Sequence, residues 1–95
     1  AERCGLCDEG EGPEMIEKGV HDFNGALPIN VSGGTVATNS IGSTAMERAA
    51  YAALMVMEKA PGEMQVPKKV RRALAHGWGG LFQFVSIAIF GDKPY

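Results

Sequence analysis

The chain has 95 residues with nine Lys and Arg against eleven Asp and Glu, a net charge of -2 and a pI near 5.6, which excludes a general attraction to nucleic acid or to an anionic membrane. Its length limits it to one small domain, and no apolar run approaches the roughly 18 residues that a membrane helix needs. The beginning lacks the basic-then-apolar order of a secretory signal, and two cysteines with five methionines fit a reducing compartment, so a cytoplasmic location is expected.

Residues 1–26 are rich in Gly and Glu and carry little hydrophobic periodicity, which predicts a peripheral arm with at most a short strand around Glu14 to Glu17. Six of the eleven acids fall between Glu2 and Glu17. The second part, residues 27–95, opens with an apolar stretch, Leu27 to Val31, bounded by Pro28 and the Ser32-Gly33-Gly34 cluster. It predicts an edge strand that delivers a loop.

Ser43 or Thr44 can cap a helix running to about Lys59, stopped by Pro61 and Gly62, with Glu47 at capping-box distance from Thr44. Ala45, Ala49, Ala52, Ala53 and Val56 form one stripe, and Met46, Ala50, Leu54 and Met57 widen it until few positions remain for water. This predicts a buried helix whose small residues allow close backbone approach. Residues 61–69 read as a polar linker. Val70 to Ala75 and Leu81 to Phe90 read as two strands around a His76-Gly77-Trp78-Gly79-Gly80 turn. The second has only Gln83 and Ser86 as polar members, the pattern of a strand covered on both faces, so a covering layer is expected from elsewhere.

Three segments in this order carry a resemblance: Pro28, Asn30, Gly33 and Gly34 in the first loop; Asn39-Ser40-Ile41-Gly42; and His76-Gly77-Trp78-Gly79-Gly80 before an apolar strand. Together they resemble the closing segment of the thiolases, in the sterol-carrier or lipid-transfer branch, from about Gly5 to Phe90. The resemblance implies an α/β fold in which a strand, a buried helix and two strands are completed by another chain or chain segment. It implies part of an acyl-CoA-processing enzyme of lipid metabolism, making or breaking carbon-carbon bonds or transferring acyl groups, with a coenzyme A thioester as substrate and no permanently bound cofactor. The nucleophilic cysteine would come from a larger thiolase-like chain or an N-terminal half. A small zinc-containing partner subunit and an oligomeric state are further expectations of the same resemblance.

In that frame Asn39 falls where the family's oxyanion-binding, base-assisting histidine stands. An amide can donate to an oxyanion but cannot take up a proton. Asn39, Ser40 and Ser43 serve equally well as the turn and cap of the following helix. His76 falls where many thiolases carry a second cysteine, and an imidazole there can act as acid or base near neutral pH. The N–H groups of Gly77, Gly79 and Gly80, with Ser40, are the expected contacts to the thioester, and Trp78 replaces a common glycine. Without the resemblance, a structural histidine is the plainer reading of His76.

Cys4 and Cys7 have the spacing of a zinc knuckle or redox pair, with His21 as a third candidate ligand and no fourth, so no metal site is expected. The resemblance instead matches Gly5-Leu6-Cys7 and Gly10-Glu11-Gly12 to a structural arm. His21 beside Asp22 reads as solvated. Lys68, Lys69, Arg71 and Arg72 read either as a solvated linker or as partners of coenzyme A phosphates. A non-catalytic structural or acyl-CoA-binding subunit is the competing functional expectation.

Overall fold

The fold was obtained as a computed structural model, which describes every residue except Asn39, Phe82 and Tyr95. Two compact units divide the chain, Ala1–Val31 and Ser32–Tyr95.

In the first unit a 3-10 turn at Glu2–Cys4 ends at Gly5, whose φ of 67° allows its N–H to return to the Glu2 carbonyl. The Glu2 carboxylate then accepts the N–H of Gly12, 3.0 Å away, at the head of helix α1 (Gly12–Glu17). A helix stands where a short strand was expected. Pro13, with its φ fixed and no N–H to satisfy, suits a first helical turn, and Glu14 pairs with Lys18 one turn on.

The expected strand at Leu27 to Val31 is also absent. Pro28 has no N–H to give to a ladder, and Asn30 adopts a left-handed φ of 53°, so the segment cannot continue as extended chain. It folds back on its own unit instead: Leu27 N–H reaches the Val20 carbonyl at 2.9 Å and Ile29 N–H the His21 carbonyl at 3.1 Å.

The second unit is a helix laid on a hairpin. After helix α2 (Gly34–Ala37) comes α3 (Thr44–Val56), followed by a 3-10 turn (Gly62–Met64) and the antiparallel strands β1 (Arg72–Gly79) and β2 (Phe84–Gly91). Helix α3 stops three residues short of the expected Lys59. Lys59 N–H bonds the Leu54 carbonyl at 2.9 Å and Glu58 N–H the Met55 carbonyl at 3.2 Å, a Schellman closure with Glu58 in the left-handed position (φ 57°) that glycine usually occupies. Residues 61–69 are more than a polar linker. Tyr51 donates its hydroxyl to the Met64 carbonyl (2.7 Å), Gln65 donates to the Met55 carbonyl (3.2 Å), and Val66 is buried.

Strand β1 runs four residues beyond its expected end, through His76, Gly77, Trp78 and Gly79, so those residues are strand rather than turn. Its alternation explains why. Ala73, Ala75, Gly77 and Gly79 face α3, while Leu74, His76 and Trp78 face the other way. At Gly77 a Cβ would lie 2.6 Å from the Ala45 Cβ and 3.0 Å from Ser86 Oγ, so glycine there is what lets helix and strand approach. The register pairs Leu74 with Ile89, His76 with Ile87 and Trp78 with Val85.

The core is correspondingly small: Ala52 and Met55 of α3, Val66 and Ala75. Helix α3 is covered in part, by the sheet and by residues 64–66, and Met46 and Met57 stand exposed where a buried helix was expected. On the far face of the hairpin Leu74, Trp78, Val85, Ile87 and Ile89 are each 54 to 62% exposed. Two strands with one bare apolar face make a marginal sheet on their own.

Candidate functional site

The loop that enters α3 is built around Ser40. Its carbonyl accepts the N–H groups of Ser43 and Thr44, both at 3.0 Å, and the Thr44 hydroxyl at 2.8 Å. Its own hydroxyl donates to the Glu47 carboxylate, which the Ser43 hydroxyl also reaches at 3.4 Å. These bonds satisfy helix N-terminal donors and place an anion in the first turn, where the helix dipole favours it. The expected capping box between Thr44 and Glu47 is thereby shifted: Thr44 is the first helical residue, and Glu47 serves Ser40 and Ser43. Asn39, the neighbour of Ser40, lies outside the described residues.

Arg48 is a residue the sequence reading missed. One turn into α3, its guanidinium donates to the Thr38 carbonyl at 2.9 Å and to the Ser32 hydroxyl at 3.4 Å. It therefore fastens the start of α3 to both ends of the loop that carries Gly33 and Gly34. Only the helical spacing of a lone cation after a capping segment hinted at it, and that spacing does not name a loop carbonyl as its target.

His76 sits mid-strand, exposed, flanked on its face by Leu74 and Trp78 and opposite Ile87. Ala45, in the first turn of α3, lies against the other face, where Gly77 turns toward it. The structure brings Ala45 of α3 to the Gly77 backbone and turns the His76 side chain to the opposite face of the strand. Among the described residues no hydrogen bond joins His76 to the Ser40 loop.

The glycines divide as well. Consecutive N–H groups in a strand point to opposite sides, so Gly77, Trp78 and Gly79 cannot converge as one nest on a single oxygen. Gly80, just past the strand with φ 60°, is free of that alternation.

Elsewhere, Cys4 is exposed and Cys7 half-buried, both as free thiols. Among the described residues no three His, Cys, Asp or Glu side chains gather as metal ligands. His21 is not a solvated loop residue. Its Nδ1 donates to the Leu27 carbonyl at 3.0 Å, which leaves Nε2 enclosed without a partner. Burial pushes the Tyr51 phenol above its ordinary pKa.

A helix seated on an antiparallel hairpin through a glycine, with a capped entry to the helix and a histidine on the open face of the hairpin, makes the second unit a small α/β arrangement. The chain matches the family model described as thiolase C-terminal domain-like over residues 1–92, and it belongs to that family. Comparison with curated proteins and with solved structures returned no match. No helix among the described residues is long and apolar enough to cross a membrane.

Proposed function

We propose that this chain forms part of an acyl-CoA-processing enzyme of the thiolase type, in the sterol-carrier or lipid-transfer branch. The observation that carries the reading is His76, presented on the open apolar face of a chain that belongs to the thiolase C-terminal family. An apolar surround suits an acyl chain. The imidazole supplies the proton transfer that thioester exchange or carbon-carbon cleavage requires near neutral pH.

In this reading the nucleophilic cysteine comes from a larger thiolase-like polypeptide or chain segment that covers the Leu74, Trp78 and Ile87 face. Asn39 donates to the oxyanion of the thioester, and Gly79 and Gly80 at the end of β1 add backbone donors. Gly77 works through packing. Ser40 gives its hydroxyl to the Glu47 carboxylate at the helix cap rather than to the thioester. A small zinc-containing partner subunit, an oligomeric assembly and a cytoplasmic location belong to the same proposal.

A specific observation favours a second reading, in which the chain is a structural or acyl-CoA-binding subunit without catalysis. Ser40 spends both its hydroxyl and its carbonyl on helix capping, so the loop has a complete structural reason to exist. Turnover of acyl-CoA by the complete assembly carrying His76→Ala separates the two. A catalytic acid or base predicts a loss of roughly 10²- to 10⁴-fold. Unchanged turnover removes His76 from the mechanism and leaves the second reading.

A further inference from the structure

At the open end of the hairpin, Lys69, Arg71, Arg72 and Lys93 line one groove together with Asp92. The fold assembles this cluster from two distant stretches of chain. Arg72 pairs with Gly91 in the ladder, and one residue further the Asp92 N–H bonds the Arg71 carbonyl at 3.1 Å. That pairing carries the chain after β2 back beside the residues before β1, so Lys93 joins the basic run that leads into the sheet. All four cationic residues are exposed. Four cations against one carboxylate leave three positive charges in excess. Among the described residues, Lys69, Arg71 and Lys93 enter no salt bridge.

Like charges gathered in a concave groove repel one another, and a polyvalent anion converts that repulsion into attraction. Guanidinium forks match phosphate oxygens two at a time, while lysine ammoniums act as adaptable point charges at the rim. We propose that this groove binds the phosphate groups of a small phosphorylated ligand. The proposal rests on the acyl-CoA reading only in naming coenzyme A as one source of those phosphates. The groove stands without it.

Calorimetric titration of the complete protein with coenzyme A, adenosine diphosphate and phosphate-free pantetheine tests this at low and high salt. A second titration uses the Arg71→Ala/Lys93→Ala double variant, after thermal melting has shown its fold intact. The proposal expects coenzyme A and adenosine diphosphate to bind and pantetheine not to. It expects the variant to weaken the two phosphorylated ligands by about tenfold or more and to flatten their salt dependence. Binding of adenosine diphosphate without coenzyme A upholds the groove and assigns it another phosphate source. No binding of either at low salt, or equal binding by variant and parent, overturns it. Failure of the functional reading shows instead as unchanged turnover in His76→Ala, which leaves these titrations as they are.

Discussion

At the residue scale, Gly77 and His76 occupy adjacent positions of one strand and face opposite ways, Gly77 into the packing against α3 and His76, the proposed acid or base, onto the open face. Gly77 faces α3 so closely that an added Cβ would sit 2.6 Å from the Ala45 Cβ, so Gly77→Ala should destabilise the protein by about 1 to 3 kcal/mol, read as a lower denaturation midpoint. Ala45→Gly in the same chain should return part of that loss, because the clash is pairwise. His76 faces the open side, and its replacement by Ala should leave the isolated chain's melting temperature nearly unchanged while lowering turnover of the complete enzyme. Legibility divides along the same line. The motif order made His76 and Asn39 visible as candidates, whereas the glycines of residues 76–80 read as a turn because glycine commonly marks one. The reason for Gly77, a helix pressed against the strand, becomes visible only once Ala45 and Gly77 are seen together.

Element by element, α3 was the most legible, because a long Ala-rich run between a Ser/Thr cap and Pro61-Gly62 has few other readings. Its end was misplaced because Glu58, not a glycine, takes the left-handed closing position. Glu58→Gly should therefore stabilise the helix end by about 0.5 to 1 kcal/mol, the strain of a side chain at that φ exceeding the extra freedom glycine gains when unfolded. Unfolding monitored by helical circular dichroism checks it. The tie from Tyr51 to Met64, hidden from periodicity because a side chain meets a distant carbonyl, gives α3 a pH dependence. Burial raises the phenol above its ordinary value near 10, so folding favours the protonated form. The stability this contributes is complete below the unfolded value and falls as pH climbs through the folded one. Tyr51→Phe should remove that alkaline slope in denaturation curves measured across pH 9 to 11, and should cost about 1 kcal/mol at neutral pH through the lost hydrogen bond. The arm and the Leu27 to Val31 segment were the least legible. Their shape comes from Glu2 reaching Gly12 and from His21 reaching Leu27, contacts between residues with no periodic signal.

For the whole molecule, the buried core of Ala52, Met55, Val66 and Ala75 is small beside the apolar surface the hairpin leaves open. The near-continuous apolar character of residues 84–90, broken only by Ser86, pointed to this in advance, since a strand facing water on one side would alternate polar residues there. The chain belongs to the thiolase C-terminal domain-like family, and in the proposed reading a larger thiolase-like polypeptide covers that surface. Native mass spectrometry of the protein purified from its own source without denaturation, after exposure to acyl-CoA, tests the central claim most directly. A complex in which a larger polypeptide gains the acyl mass on a cysteine is the predicted result; a lone 95-residue monomer that takes up no acyl group would contradict it.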